Sequence, residues 1–464
     1  MEYIENRIFD EIKIGDSASL IRKLTMDDIN LFAVMSGDVN PAHVDEEYAK
    51  SDMFHKIIAH GMWGGSLIST LFGTKLPGPG TIYLGQTLHF RRPVALGDTI
   101  TVSVTATAKE EERHRVTFNC ECINQRGEVV ISGSAEVIAP IEKVKRPRTV
   151  LPAVHMHDRG ARHRQLIELT KGLEPIRTAV VHPVDRNSLL GAIDAALVNL
   201  IVPILVGPEA KIRAAAEAAD VNLSPYTLVA SKHSHEAAAK AVAMARAGEV
   251  EAIMKGSLHT DELMHEVVAK DTGLTTARRI SHVFVMDVPT YPRVLFITDA
   301  AINIYPDLDD KRDIVQNAID LAHVLGIENP KVAILSAIET VTSKLRSSIE
   351  AAALCKMADR KQITGGVVDG PLAFDNAVSE EAAKIKEIVS PVAGRADILV
   401  VPDLESGNML AKQLEYLAEA QTAGIVLGAR VPIALTSRAD NPMSRMASCA
   451  IALLLAHHKR KMMI

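Results

Sequence analysis

Along the first 140 residues, apolar residues recur at helical spacing in two stretches and then alternate with polar residues one by one. TMDDINLFAVMSGD has apolar residues at helical spacing behind Thr25, which is a suitable N-cap. HGMWGGSLISTLFGTKL predicts a second helix that is apolar and rich in small residues. The stretches between residues 81 and 140 then alternate with period two and are separated by turn signals. This order predicts a long antiparallel sheet that wraps around one buried helix, an α+β domain.

After residue 140 the pattern changes twice. The segment 141–165 is basic, contains two prolines and has weak periodicity, so we interpret it as a linker. From residue 166 onwards, short apolar runs alternate with alanine-rich helical stretches, which is the pattern of α/β proteins. We therefore predict a first domain over residues 1–140, a linker over 141–165 and a second domain over 166–464.

The composition restricts the class of protein and its partners. A chain of 464 residues is too long for one compact domain, and an apolar content of 47% with 23% charged residues supports packed cores. The net charge of −6 and the dispersed Lys and Arg residues argue against nucleic acid as a partner. Four cysteines and a polar, acidic first segment indicate the cytoplasm. Apolar runs such as GIVLGARVPIALT are too short and too broken by Gly and Pro to span a membrane.

Two groups of potential metal ligands occur along the chain. Cys120 and Cys122 alternate in a predicted strand, and two small core residues are the simpler interpretation because a metal site would need two further ligands. His155, His157 and His163 lie in the predicted linker without cysteines or acidic residues at ligand spacing. We predict no metal site.

The first constellation of candidate catalytic residues lies in SGDVNPAHVD. Pro41 imposes a turn and Asn40 before it avoids helical geometry, so Asp38 and His43 can face one cleft. A carboxylate and an imidazole that share one water can take a proton from it and return one elsewhere, which is what adding water to an activated C=C bond requires. The alternative is that Asp38 caps a helix and His43 is a hydrogen-bonded turn residue.

The order of motifs over residues 10–138 resembles the MaoC-like, R-specific enoyl-CoA hydratases. The motifs that carry the resemblance are SGD-x-NP-x-H, HGM and FRRPVALGDTI. The resemblance implies a hotdog fold, a catalytic dyad of Asp38 and His43, and an oxyanion contact from Gly61 at the start of the buried helix. It also implies homo-oligomers, because hotdog sheets pair edge to edge.

Further residues of the same motifs are candidates for substrate contacts. We expect Asn40 and His60 to line the substrate site. Arg91 and Arg92 are either partners of CoA phosphates or a solvated pair on a strand. Ala42 stands where the family commonly has a larger aliphatic residue, which would change the pocket size but not the chemistry.

The second constellation follows the predicted strand VPIALT. Arg438 offers a planar guanidinium that fits a phosphate with two hydrogen bonds, and the hydroxyl of Ser437 with N–H groups of a following helix would complete an anion site. On its own, the pair also fits a strand end without a function.

Five ordered segments across about residues 165–458 resemble the phosphate acetyl/butyryltransferase family. They are MKGSLHTDELM, FITDAAINIYPD, GGVVDGPLAFDNA, ADILVVPDLESGNMLAKQL and AGIVLGARVPIALTSRAD. The resemblance implies two α/β lobes with a cleft between them, as in isocitrate dehydrogenase-like enzymes. It also implies acyl transfer between CoA and inorganic phosphate.

The resemblance assigns roles to several residues of the second domain. It implies that Arg438 holds phosphate and that Ser437 contacts the thiol or the carbonyl. Arg279 falls where the family carries a second arginine on the phosphate side, although the neighbouring Arg278 leaves the register open.

The base of the second reaction is unassigned. Some family members carry an acid several positions beyond the Ser-Arg pair, where this chain has Ser444, and Asp440 is the nearer acid. Lys255 either pairs with an anion or caps a strand, and Asn408 is a candidate cleft residue.

These observations predict a bifunctional enzyme that hydrates trans-2-enoyl-CoA to (R)-3-hydroxyacyl-CoA and transfers acyl groups between CoA and phosphate. We expect CoA thioesters and phosphate as substrates and no tightly bound cofactor. The main alternative is an active hydratase with a non-catalytic C-terminal module that binds CoA esters. Two further alternatives are an acyl-CoA sensor without turnover and a C-terminal NAD- and metal-dependent decarboxylating dehydrogenase.

Overall fold

The structure is a computed structural model that describes residues 2–151, 154, 156, 160–436 and 441–462. The chain divides into two compact units, Met1–Met156 and His157–Ile464. Within the described ranges, no helix combines the length and the apolar character that crossing a bilayer requires.

The N-terminal unit contains an antiparallel sheet that wraps around one helix. Its strands are β1 (Tyr3–Glu5), β2 (Ser17–Lys23), β3 (Ile82–Phe90), β4 (Thr99–Glu110), β5 (Arg115–Asn124), β6 (Val129–Ile138) and β7 (Lys145–Pro147). Its α-helices are α1 (Met26–Ser36), α2 (Pro41–Val44), α3 (Glu46–Ser51) and α4 (Gly61–Thr74). Among the described residues, the sheet has five strands in the order β2-β4-β5-β6-β3, and every neighbouring pair is antiparallel.

Helix α4 forms the centre of the N-terminal core. Ile68, Leu71 and Phe72 on this helix are almost completely buried, and the alternate side chains of the sheet, such as Val104 and Phe118, pack in the same core cluster. The predicted period-two strands and buried helix are therefore confirmed, and the arrangement is the hotdog fold that the resemblance implies.

Local sequence signals set the start of α1. The hydroxyl of Thr25 accepts a hydrogen bond from the backbone N–H of Asp28 at 3.2 Å, and the Asp28 carboxylate accepts in return from the Thr25 N–H at 3.0 Å. This reciprocal capping satisfies N–H groups that have no partner within the helix. The predicted N-cap at Thr25 is thus confirmed.

The segment 141–165 contains a short strand in its first part and the start of a helix in its last part. Strand β7 pairs antiparallel with β1, with Tyr3 opposite Pro147. The first helix of the C-terminal unit begins at Ala161. The N-terminal unit thereby holds the chain in place beyond the hotdog sheet.

The C-terminal unit is an α/β structure with one large mixed sheet. Its strands are β8 (Ile176–Val181), β9 (Ile201–Gly207), β10 (Thr227–Ala230), β11 (Ala252–Lys255), β12 (Ser281–Asp287), β13 (Leu295–Thr298), β14 (Lys331–Leu335), β15 (Val367–Leu372), β16 (Ile398–Val400), β17 (Gln421–Leu427) and β18 (Ile433–Ala434). Its helices are α5 (Ala161–Glu168), α6 (Arg186–Leu197), α7 (Glu209–Ala218), α8 (Ser234–Arg246), α9 (Thr260–Val268), α10 (Leu308–Val324), α11 (Arg346–Asp359), α12 (Phe374–Val378), α13 (Glu380–Ile385), α14 (Leu404–Leu417) and α15 (Pro442–Met462). The predicted α/β class is confirmed.

The strand order of this sheet places candidate residues together. Among the described residues the order is β10-β9-β8-β11-β18-β17-β12-β13-β16-β14-β15, and the strands around β12 and β17 are antiparallel. Strands β11 and β18 are parallel neighbours, with Met254 opposite Ala434. Their carboxyl ends therefore lie side by side, and ligands of α/β sheets commonly bind at that edge.

Candidate active sites

The connection between α1 and α2 carries the first pair of candidate residues. Helix α1 ends at Gly37, which adopts the left-handed conformation with φ of 77°. The side chain of Asn40 then caps α2, where its Oδ1 accepts from a backbone N–H at 3.1 Å. The chain turns twice within a few residues, which leaves Asp38 exposed in the connection and His43 buried in α2.

Asp38, His43 and His60 come together at this turn. One carboxylate oxygen or ring nitrogen from each side chain lies within 4.8 Å of the others. The Nδ1 of His43 is 2.9 Å from the carbonyl oxygen of Ile58, so we assign it the proton and its Nε2 the acceptor role. The Nε2 of His60 is 3.0 Å from the carbonyl oxygen of Asp38, and the two imidazole centroids are 4.0 Å apart. The stacked ring and the hydrogen bond hold the Asp38 backbone beside His43.

A cavity of about 320 Å³ opens next to this group. Its wall contains His43, Phe54, His60, Gly61, Trp63, Phe90, Arg91, Arg92, Val94 and Ile131. The apolar part of this wall suits an acyl chain. Gly61 is the first residue of α4, and N–H groups at a helix start have no partner within the helix. A Cβ at Gly61 would lie 3.1 Å from the Phe90 ring, so glycine keeps this approach open.

Arg91 and Arg92, the remaining candidates of the N-terminal unit, contact polar residues as well as the cavity. Arg91 donates from Nε to the Ser132 hydroxyl at 3.2 Å, and the exposed Arg92 lies 3.7 Å from a carboxylate oxygen of Glu128. Both arginines contribute to the cavity wall, so neither is only a solvated strand residue.

The cysteines and histidines considered as metal ligands differ in where they lie. Cys120 and Cys122 are fully buried in the core of the sheet, as the simpler interpretation has it, and burial raises their pKa to about 11 and about 12. His163 is fully buried in α5, whereas His155 and His157 lie outside the described residues.

In the C-terminal unit, a cavity of about 350 Å³ lies at the carboxyl ends of β11 and β18. Lys255 is 4% exposed, and its Nζ donates to the carbonyl oxygen of Thr436 at 3.2 Å. The Thr436 hydroxyl donates back to the Lys255 carbonyl oxygen at 2.9 Å. Asn408 donates from Nδ2 to the carbonyl oxygen of Ala300 at 3.1 Å and faces the same cavity. The structure thus brings Lys255 and Asn408 together.

Arg279 lines a neighbouring and larger cavity of about 1120 Å³. Its Nε donates to Asn303 Oδ1 at 2.8 Å, and its Nη1 is 3.4 Å from Asp310 Oδ1. Arg278 lines the same cavity and pairs with Asp320 at 2.5 Å. The two cavities share Thr260 and Ala301 in their walls, so they adjoin. Such adjoining space could accept the two ends of one long ligand.

Ser437, Arg438 and Asp440 lie outside the described residues. Thr436, which directly precedes them, forms part of the 350 Å³ cavity. Ser444, the residue at the position that the family resemblance associates with an acid, is 3% exposed in α15, and its N–H donates to Asn441 Oδ1 at 2.8 Å. Ser444 is therefore a buried helix residue rather than a replacement base.

Sequence reasoning missed His282, which also lines the 350 Å³ cavity. It lies in β12, in a run that reads as an ordinary apolar strand. The alternation of the strand places His282 and Phe284 on one face, and both residues contribute to the cavity wall. The only signal in the sequence is a polar residue within an otherwise apolar strand.

Two family models match the chain. The phosphate acetyl/butaryl transferase model covers residues 228–453, and the MaoC like domain covers residues 13–123. A phosphate acetyltransferase from Rhizobium meliloti is 64% identical over 300 residues, which are 65% of this chain and 95% of that protein.

Solved structures of other proteins match each unit. A branched-chain phosphotransacylase from Enterococcus faecalis is 29% identical with a TM-score of 0.54, and the match covers 61% of this chain and 99% of that one. The R-hydratase PhaJ1 from Pseudomonas aeruginosa is 42% identical with a TM-score of 0.33, over 33% of this chain and 99% of that one.

Proposed function

Because the chain belongs to the phosphate acetyl/butyryl transferase family and carries a MaoC-like domain before it, we propose that it is a bifunctional enzyme of acyl-CoA thioesters. Residues 1–140 hydrate trans-2-enoyl-CoA to (R)-3-hydroxyacyl-CoA, and residues 166–464 transfer acyl groups between CoA and inorganic phosphate. Both reactions act on the same thioester handle, which gives the fusion a chemical logic. The observation that carries the proposal is the family match of each unit.

In the hydration step, a water molecule lies between the Asp38 carboxylate and His43 Nε2. One of the two groups takes a proton from the water as its oxygen attacks C3 of the enoyl group, and the other delivers a proton to C2. The hydrogen bond from His43 Nδ1 to the Ile58 carbonyl supports this role because it leaves Nε2 as the acceptor.

The negative charge that develops on the thioester oxygen requires hydrogen-bond donors. The N–H of Gly61, at the start of α4, supplies one, and the positive end of the helix dipole adds to it. We assign Asn40 and His60 to shaping this site, since Asn40 caps α2 and His60 holds the Asp38 backbone.

In the transfer step, a phosphate oxygen attacks the thioester carbonyl, and CoA leaves as the thiolate. Arg438 holds the phosphate and Ser437 contacts the carbonyl or the thiol. The buried ammonium of Lys255 supports an anion site because it puts positive charge into the wall of the 350 Å³ cavity. Asn408 contributes a polar contact in the same cavity, and Arg279 serves the adjoining one, with Asp440 as a candidate acid.

Two assays on the purified chain test the proposal. The ultraviolet absorbance of the conjugated double bond of crotonyl-CoA is expected to disappear, and acetyl-CoA or butyryl-CoA is expected to release thiol only when phosphate is present. No thiol release with either acyl-CoA would favour the non-catalytic C-terminal module. Binding of acyl-CoA without either reaction would favour a sensor, and turnover that needs NAD and magnesium would favour a dehydrogenase.

The proposal includes substrates, cofactors and location. CoA thioesters and phosphate are substrates that bind and dissociate in each turnover, and neither reaction as written needs a tightly bound cofactor. A cytoplasmic location is supported by four free cysteines, of which Cys120, Cys122 and Cys449 are buried.

The hotdog unit is also proposed to form a dimer through β3. This strand lies at one end of the sheet and exposes Ile82, Leu84 and Phe90, which are 57%, 43% and 55% exposed. It carries no Lys, Arg, Asp or Glu, whereas β2 at the other end carries Arg22 and Lys23. Charged residues protect an edge strand from pairing, so β3 is the edge suited to a second copy.

Replacing Leu84 by aspartate is expected to lower the mass of the assembly about twofold, because a charge would be buried in the paired edge. Sedimentation velocity of the full chain measures this mass. Ile21→Asp is the matched control, since Ile21 is 70% exposed on β2 and should leave the mass unchanged. An unchanged mass for Leu84→Asp would refute pairing through β3.

A further inference from the structure

The cavity of about 350 Å³ in the C-terminal unit has an unusual set of ionisable side chains. Its wall contains four groups that can titrate, namely Lys255, His259, His282 and Lys412. Among the described residues of this wall, none is acidic. Lys255 and Lys412 suit an anionic substrate because lysine side chains supply the charge that such a substrate requires.

The two lysines are already held in place. Lys255 donates to the Thr436 carbonyl at 3.2 Å, and Lys412 donates to Glu415 Oε2 at 2.7 Å. His259, at the start of α9, is exposed to solvent. Of the two histidines in the described wall, His282 is therefore the one that is shielded from water.

His282 is completely buried, and neither ring nitrogen has a hydrogen-bond partner among the described residues. A buried polar group without a partner is uncommon, and although His163 shares this feature, His282 is the one that lies in the described cavity wall. The ring faces Gly424 on β17, where a Cβ would lie 2.9 Å from His282 Nε2. A side chain at position 424 would collide with the ring, so glycine lets the imidazole lie against β17, and both residues line the cavity.

The imidazole is neutral in the empty site. Burial opposes a positive ring and lowers the pKa of His282 to about 3. A bound phosphate dianion reverses part of this opposition because it adds negative charge beside the ring. A neutral ring can accept a proton at one nitrogen and return it within the same turnover.

Acyl transfer needs such a proton carrier. Acyl-CoA and HPO₄²⁻ give an acyl phosphate dianion and CoA with a protonated thiol, so one proton moves from the attacking phosphate to the leaving sulfur. The C–S bond breaks as the C–O bond forms, and no electrons are exchanged with another reactant. Before and after the step the carrier is neutral, which matches the resting state of His282.

We propose that His282 is the catalytic proton carrier of the transferase site, which takes the proton from phosphate and gives it to the CoA sulfur. In the reverse direction the same nitrogen takes the thiol proton and returns it to phosphate. This inference rests on the proposed transferase function. It supplies the base that the sequence leaves unassigned.

The test measures phosphate-dependent thiol release from acetyl-CoA by His282→Ala and His282→Gln. Loss of general acid–base catalysis is expected to lower kcat by about 10²–10⁴-fold with little change in KM. Imidazole added to His282→Ala is expected to restore part of kcat in a saturable way, because the deleted ring leaves space next to the cavity. Glutamine fills that space and cannot carry the proton, so His282→Gln should not respond.

Two comparison variants separate this role from its rivals. His163→Ala removes another fully buried histidine that is not in the described cavity wall, so its activity should not respond to imidazole. Asp440→Asn removes the acidic alternative, and a kcat lower than that of His282→Gln would assign the base to Asp440 instead. Among the described residues, the structure places no carboxylate in this wall.

The outcomes are distinct. If the wild-type chain releases no thiol, the transferase function itself fails. If it is active and His282→Gln keeps kcat within about threefold, or His282→Ala loses kcat without rescue, the proton-carrier role is refuted. If His282→Ala does not fold, as judged by circular dichroism, the kcat of His282→Gln and Asp440→Asn decides between the two bases.

Discussion

Replacing Asp38 by asparagine is expected to lower kcat for the hydration of crotonyl-CoA by about 10³-fold. An amide neither accepts nor returns the proton that the addition of water requires. The substitution should leave the fold intact because Asp38 is exposed, and its Oδ1 accepts from the Asn40 N–H at 3.2 Å, a contact that an asparagine oxygen can keep. The loss should therefore appear in kcat rather than in stability.

Asp45→Asn is the matched control for this variant. Asp45 lies in the same short segment, but its Oδ1 caps α3, where it accepts from the backbone N–H groups of Glu47 and Tyr48 at 3.0 Å each. Asparagine is as good an N-cap as aspartate, so this change of charge should leave hydration unchanged. The loss of crotonyl-CoA absorbance measures both variants, and a thermal melt compares their stability.

The hydration assay also tests whether Asp38, His43 and His60 hold a metal ion, because their side chains are close enough together to do so. Two imidazoles and a carboxylate within 4.8 Å of one another have the donor set of a transition-metal site. We predict no metal, so dialysis against EDTA should leave wild-type hydration unchanged.

Full hydration by Asp38→Asn would be incompatible with the proton-transfer role of this residue.

The sequence predicts the local part of the hydratase site well. Asn40 and Pro41 dictate a helix start after a turn, and this local chemistry separates Asp38 and His43 from the preceding helix. The buried helix and the alternating strands follow from periodicity, which depends only on neighbouring residues. These features are set over a few residues and are therefore visible in a single sequence.

Features that depend on distant residues were not predictable. The hydrogen bond from His60 to the Asp38 carbonyl joins residues 22 positions apart, and no local pattern encodes it. The pairing of β1 with β7 joins both ends of the N-terminal unit, and Lys145–Pro147 is too short and too charged to show a strand period. His282 reads as one polar residue in a strand, and the absence of a hydrogen-bond partner for its ring among the described residues emerges only when β17 lies beside it.

Replacing Arg438 by glutamine is expected to lower kcat/KM for phosphate-dependent thiol release by about 10²–10³-fold. Removing one partner of a hydrogen-bonded charge pair in a protected site costs about 2–5 kcal/mol, and each 1.4 kcal/mol is a factor of ten. The loss should appear when phosphate is varied, because we propose that the planar guanidinium holds that substrate with two hydrogen bonds. Arg438→Lys keeps the positive charge but not the planar group that donates two parallel hydrogen bonds, so its activity should lie between those of the wild type and Arg438→Gln.

The two halves of the chain provide controls for each other. Arg438→Gln should hydrate crotonyl-CoA at the wild-type rate, and Asp38→Asn should release thiol at the wild-type rate. Such a double dissociation requires two separate sites, because a single acyl-CoA site would lose both activities in either variant. A loss of hydration in Arg438→Gln would mean that the residue supports the whole chain rather than phosphate. Retention of thiol release in that variant would remove Arg438 from the phosphate site, and Lys255 in the wall of the 350 Å³ cavity would then be the cation to test.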